Sequence, residues 1–168
     1  DHVRLAIDGP CASGKSTLAQ TLADIYHCPV VHMDDFFLQP YQRTPERLQA
    51  PGENVDHERF LQEVLLPAAR GEGVVYRPYL CAREVLGPAV FVPPARLTIG
   101  SYACHPALWP YYHLRIFLTV DPREQLRRIE ARSGPEKLRQ FIDRWIPLEE
   151  QYFQACSLAE RCDFFLGV

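Results

Sequence analysis

Short, almost wholly apolar runs recur along the chain, separated by stretches in which apolar residues return every three or four positions. The runs are Val3 to Ile7, Val30 to Met33, Arg96 to Ile99, Leu114 to Val120 and Phe164 to Leu166. Runs of this length and composition predict strands covered by helices on both faces. The first helical stretch spans Lys15 to about Tyr26, carries Leu18, Leu22 and Ile25, and ends at Cys28-Pro29. Asp56 is the expected N-cap of a second, with Phe60, Leu61, Val64, Leu65 and Ala68 on one face and Gly71 closing it. A short helical segment, bounded by proline, is expected from Pro106 to Tyr112. Asp121-Pro122 opens a further helix at N-cap and N1, with Leu126 and Ile129 inward, and Gly134-Pro135 breaks it. A last helix carries Leu138, Phe141, Ile142 and Trp145, with Pro147 expected to kink or stop it near Ile146.

Two segments depart from this alternation. Residues 39–56 contain Pro40, Pro45, Pro51 and Gly52 and show no period, so a long structureless loop is expected, of the kind that is usually functional or disordered. Residues 74–93 hold two β-like runs around Leu86-Gly87-Pro88, which predicts a small antiparallel excursion. The whole reads as one α/β domain over 1–168, a doubly wound, mainly parallel sheet of five strands with that excursion attached.

Composition changes this picture little. Hydrophobic residues at 47% and charged residues at 23% are ordinary globular values. A net charge of −3 gives no reason to expect nucleic acid or an acidic membrane as partner, and no run approaches a membrane span. The six cysteines form no C-x-x-C pair and stand far apart, which reads as reduced thiols in a cytoplasmic protein. Oligomeric state is not legible. The basic residues are more telling, since sixteen arginines accompany only two lysines, Lys15 and Lys137, and six of them fall between Arg123 and Arg144.

Candidate chemistry begins at Gly9-Pro10-Cys11-Ala12-Ser13-Gly14-Lys15-Ser16-Thr17, which fits G-x-x-x-x-G-K-[ST] between a strand and a helix. Its glycines let successive backbone N–H groups turn inward as an anion nest, and the positive end of the helix faces the same point. Lys15 then reaches the outer phosphates of a nucleoside triphosphate such as ATP, and Ser16 can ligate Mg²⁺. Cys11, inside the loop, is expected to have its thiol pKa lowered by the helix N-terminus. Asp34-Asp35 follow the second strand at the end where open α/β sheets bind ligands. In an extended chain the two carboxylates point to opposite sides, Asp34 as base for an acceptor hydroxyl and Asp35 toward the metal and its water shell or toward local backbone N–H groups. Arg128 and Arg132, four apart on one face, and beyond them Arg139 and Arg144, are placed to supply positive charge from a segment, 121–145, that can close as a lid.

These stretches, together with His32-Met33-Asp34-Asp35-Phe36-Phe37, Arg77-Pro78-Tyr79, Gly100-Ser101-Tyr102 and Leu126-Arg127-Arg128-Ile129-Glu130-Ala131-Arg132, resemble uridine kinase-like proteins among the P-loop nucleoside and nucleotide kinases. Nicotinamide riboside kinases are near relatives of that group. The resemblance implies a nucleoside kinase-like topology and transfer of the γ-phosphoryl of Mg-ATP to a small-molecule hydroxyl, most naturally that of a nucleoside. It implies that Asp34 is the base, that Tyr79 lies in the nucleoside pocket with Phe36, Arg83, Tyr102, His105 and Arg144 as further substrate-facing residues, and that Arg128 and Arg132 belong to the lid. A kinase of another alcohol (a vitamin precursor or sugar derivative) and a nucleotide-binding regulator remain alternatives. Two positions depart from the family: Leu80 follows Tyr79 where an Asp is usual, and Ile99 precedes Gly100 where a Glu is usual.

Overall fold

The computed structural model describes residues 2–95 and 103–167, with the backbone alone for 97–101. Arg96 and Tyr102 lie outside these residues. The strands are β1 (Val3–Asp8), β2 (Val30–His32), β3 (Val74–Tyr76), β4 (Tyr79–Leu80), β5 (Val85–Leu86), β6 (Val90–Val92), β7 (Leu97–Ser101), β8 (Leu114–Thr119) and β9 (Phe164–Gly167). The helices are α1 (Lys15–Tyr26), α2 (Pro45–Gln49), α3 (His57–Phe60), α4 (Leu66–Ala69), α5 (Pro122–Gln140), α6 (Ile146–Ala155) and α7 (Leu158–Arg161).

The central sheet runs β2-β7-β1-β8-β9, and every pairing in it is parallel. Side chains along β1 and β8 alternate between its faces as a period of two requires. Leu5, Ile7, Ile116 and Leu118 pack with Ala19 of α1, while Ala6 and Phe117 join the larger cluster built from α3, α4, α6 and α7. β1 leads to β2 on one edge of the sheet, and β8 leads to β9 on the other. The loop after β1 therefore sits where the connections diverge, the place at which such sheets bind ligands. The two small antiparallel pairs, β3 with β6 and β4 with β5, form the excursion expected between 74 and 93.

Four local expectations are corrected. β2 stops at His32, and Met33–Phe36 is a turn of 3₁₀ helix, because Met33 and Phe36, both fully buried, must reach the same core. Asp34 and Asp35 thus do not alternate as in a strand. The 39–56 segment is ordered, with a 3₁₀ turn at Pro40–Gln42 and with α2 capped by Thr44. Arg47 clasps it, donating to the carbonyls of Glu53 and Val55 at 3.1 Å each and pairing with Glu58 at 2.7 Å. The strand expected from Arg96 to Ile99 reaches to Ser101. Pro147 does not end its helix, which runs on to Ala155. A π-helical turn, Phe141–Trp145, precedes it, and its widened register spares the carbonyl that the proline ring would strike. Leu61–Leu65 does the same before Pro67.

Candidate active site

The loop between β1 and α1 takes its shape from residues that tolerate positive φ. Gly9 stands at φ 139° and Gly14 at φ 95°, and even Ala12 is at φ 61°. A Cβ on Gly9 would lie 2.3 Å from the Leu118 carbonyl oxygen, so only glycine lets the loop cross β8 this closely. Behind it Asp8, completely buried, accepts from the backbone N–H of Gly9 at 2.7 Å, from that of Cys104 at 2.9 Å and from the Tyr152 hydroxyl at 3.0 Å. Burial pushes its carboxyl pKa up, against the pull of Lys15. Three donors on a fixed carboxylate make Asp8 the anchor from which the loop starts.

Over this loop lies a cavity of about 600 Å³ lined by Cys11, Ala12, Gly14, Lys15, Ser16 and Thr17. Its other walls are Asp34 and Phe37 from the turn after β2, Asn54 from the clasped segment, and Arg128, Arg132, Phe141, Trp145, Leu148 and Glu149 from α5, its π turn and α6. The structure thus brings together Lys15, Ser16, Asp34, Arg128 and Arg132 from three separate stretches. Lys15 Nζ donates to the carbonyls of Gly9 at 2.6 Å and Pro10 at 2.7 Å. Arg128 donates to Glu124 at 2.7 Å and to the Ala12 carbonyl at 3.2 Å, so it is tied to the loop and not merely to its own helix face. Arg132 is exposed, with its guanidinium 5.8 Å from the Phe141 ring centroid. Ser13 is buried beneath the loop.

A second chamber of about 640 Å³ shares Phe37, Asn54, Trp145 and Leu148 with the first. It continues between Arg43, Cys81 and Glu84 on one side and Asp143 and Arg144 on the other. Arg43 is neutralised there, pairing with Glu84 at 2.7 Å and donating to the Tyr79 hydroxyl at 2.6 Å. Glu84 holds a positive φ of 53°, a strained conformation for a residue with a side chain.

Several expected site residues are elsewhere. Asp35 accepts from the Tyr76 hydroxyl at 3.0 Å and is not a wall of the cavity, so the structure does not bring it to Ser16 as the expected metal-ligating role requires. Phe36 is fully buried between Phe60 and Tyr76, where it serves the core. Tyr79 is buried and acts through Arg43, and Arg83 is exposed outside both chambers. His105 is buried outside both chambers too, stacked on His57 with ring centroids 3.9 Å apart. Burial holds its pKa down to about 4. Tyr102 lies outside the described residues.

The ligand atoms of Glu53, His57 and His105 lie within 4.8 Å of one another, but they do not suit an ion. The two rings are only 13° from parallel, so their in-plane lone pairs cannot converge. His105 Nδ1 accepts from the Ala107 N–H at 3.2 Å, which leaves the proton on Nε2 facing Glu53 Oε1 at 3.3 Å. The trio is a tether that fastens the 39–56 segment to the segment after β7.

Cys11 reverses its expectation. Burial, reinforced by the neighbouring Glu149 carboxylate, pushes its thiol up to about 12, and this outweighs the helix N-terminus. Iodoacetamide at pH 8, followed by peptide mapping, is expected to label the exposed Cys81 well before Cys11. Faster labelling of Cys11 would contradict the burial argument.

The cavity also contains residues that sequence reasoning passed over. Glu149 and Leu148 lie past Pro147, where a kink or break of the helix was expected, and Asn54 lies in a segment without period. Gln125 on α5 donates to the Cys11 carbonyl at 3.0 Å. An i, i+3, i+7 pattern joining Trp145, Leu148 and Tyr152 through the proline was the available signal.

No protein-family model matches the chain. It is 30% identical to a cytidylate kinase of Nitrobacter winogradskyi, over 82% of this chain and 72% of that relative. The chain belongs to the P-loop nucleoside and nucleotide kinases. As a P-loop kinase it is a nucleotide-binding transferase. A structure described as a possible uridine kinase from Bacillus stearothermophilus matches 98% of this chain and 88% of its own at a TM-score of 0.73 and 18% identity. A shikimate kinase from Bacteroides thetaiotaomicron covers 98% and 85% of the two chains at a TM-score of 0.50 and 16% identity. No helix among the described residues is long and apolar enough to cross a membrane.

Proposed function

We propose that this kinase transfers the γ-phosphoryl group of Mg-ATP to a hydroxyl of an uncharged small molecule, a nucleoside being the acceptor best suited. The observation that carries this reading is the pair of joined chambers, with Lys15 and Asp34 in the one that holds the phosphate loop. The loop residues fit a triphosphate, since the positive-φ glycines shape an anion nest and Ser16 stands exposed in the same cavity, where it would hold the metal. Bound Mg-ATP supplies the phosphoryl group and a cation to screen it. Lys15 and the loop amides bind and orient the phosphates. Asp34 takes the proton from the acceptor hydroxyl as its oxygen bonds to phosphorus, and the bond to the leaving diphosphate breaks. Arg128 and Arg132, on the lid segment 121–145, place positive charge against the transferred group and narrow the way in for water. The chain acts as one such domain.

The name of the Nitrobacter relative raises a second acceptor class, a nucleoside monophosphate. The charges of the outer chamber argue against it. Arg43 is engaged by Glu84, and Asp143 and Arg144 share the opposite wall, so two carboxylates accompany the two arginines of the chamber and leave no excess positive charge for a monophosphate. The test is γ-phosphoryl transfer from labelled ATP to uridine, cytidine, their monophosphates and a panel of other small alcohols. Phosphorylated nucleosides are the expected product. Transfer to monophosphates alone, or to a different alcohol alone, replaces the acceptor assignment. ATP binding without transfer to any acceptor favours the regulatory reading.

A further inference from the structure

The anion nest is already engaged by the protein itself. Glu149 Oε2 accepts from the Cys11 N–H at 2.9 Å, bridging 138 positions of sequence. An N–H on the inner side of a phosphate loop is a donor for an anion, and here a carboxylate has taken it. The other contacts hold the loop in this state. Gln125 and Arg128 of α5 donate to the carbonyls of Cys11 and Ala12, and Lys15 donates to those of Gly9 and Pro10. Burial raises the Glu149 pKa, and the ammonium of Lys15 is the strongest opposing influence, which places the carboxylate close to the charge that would meet a phosphate.

We infer that Glu149 is a built-in competitor for phosphate, a carboxylate that occupies the loop in the nucleotide-free kinase and must leave when a triphosphate enters. The inference rests on reading this loop as the triphosphate site. The chain around Glu149 suits such a departure. It sits in the first turn of α6, directly after the π turn Phe141–Trp145, and further back Gly134 interrupts α5 at φ 80°, ψ 167°. Tyr152, nearly one turn beyond, remains tied to Asp8 at 3.0 Å. Only the Glu149 side chain and the start of α6 need to move, while the rest of the helix keeps its anchor. Nucleotide entry is then coupled to the start of α6 through the Glu149 bond, and to the α5 segment bearing Arg128 and Arg132 through the bonds of Gln125 and Arg128 to the same loop. A charge removed at Glu149 should strengthen binding, whereas loss of a brace or of a metal-shell group should weaken it.

The experiment is calorimetric titration of ATP and of inorganic tripolyphosphate, in EDTA and again in excess Mg²⁺, into wild type, Glu149→Gln and Glu149→Ala. In EDTA both variants are expected to bind both probes about tenfold more tightly than wild type, because a like charge facing the anion has been removed. The gain shrinks in Mg²⁺, which screens that charge. Equal affinities overturn the inference, as does weaker binding in EDTA, which would make Glu149 a brace. Weakening confined to Mg²⁺ overturns it as well, and assigns Glu149 to the metal. Thermal melts accompany each titration, and loss of folding in both variants counts against the inference as evidence of a brace. Lys15→Ala separates the two readings. If it abolishes binding while the Glu149 variants equal wild type, only the present inference fails; if no protein binds either probe, the triphosphate site itself is refuted.

Discussion

Lys15→Ala is expected to lower turnover by about 10²–10³, the usual cost of removing one preorganised charge from a developing anion. The ammonium enters the cavity from the first turn of α1 and is held at the loop by the carbonyls of Gly9 and Pro10 at 2.6 and 2.7 Å. Those bonds hold it at the loop, and it exchanges their carbonyl oxygens for phosphate oxygens when the triphosphate arrives. The same bonds mean that alanine removes a support of the loop along with the charge, and the measurement must separate the two. Lys15→Arg keeps a cation but not its point-like geometry, and it should recover ATP binding better than turnover. Steady-state kinetics with saturating ATP, beside a thermal melt, make the comparison. A variant that keeps more than half of the wild-type rate would refute the role given to Lys15. One that loses turnover together with several degrees of melting temperature would assign the residue to loop stability.

The legible parts of this chain were those whose physics is local. The glycines of the loop, the apolar runs and the Asp121-Pro122 helix start each follow from a few adjacent residues, and the first cavity walls came with them. What remained hidden depends on partners distant in sequence. Arg47 orders the 39–56 segment by reaching backbone carbonyls, and no hydrophobic period announces that. Pro147 reads as a kink or a break, yet a π turn absorbs it, and with the continued helix come Glu149 and Tyr152. Cys11 shows the same lesson in electrostatics. The helix N-terminus is visible from sequence, but the burial and the carboxylate that outweigh it are not. His105 and Phe36 were assigned to substrate because their motifs lie beside the site, whereas folding turns both into the core.

Asp34→Asn is expected to cut phosphoryl transfer by about 10²–10⁴ while ATP affinity stays within a few-fold, since a positioned base is typically worth that much and the loop does the binding. The 3₁₀ turn gives the two adjacent carboxylates different surroundings, which alternation along a strand does not supply. In the 3₁₀ turn Met33–Phe36 the outer residues Met33 and Phe36 are pulled into the core, which turns Asp34 out into the cavity. Asp35 instead accepts from the Tyr76 hydroxyl, beneath which Phe36 and Tyr76 stack with centroids 5.1 Å apart. Among the described residues none hydrogen-bonds the Asp34 carboxylate, so its lone pairs face the space an acceptor would fill. Asp35→Asn retains an oxygen for Tyr76 and should cost little. Single-turnover transfer with ATP affinity measured separately makes the comparison, using whichever acceptor the panel identifies. A dead Asp35→Asn beside an active Asp34→Asn would exchange their roles and require the 3₁₀ turn to rearrange on acceptor binding. Normal transfer by both variants would mean that proton removal does not limit the reaction, leaving Lys15, Arg128 and Arg132 to carry catalysis through charge alone.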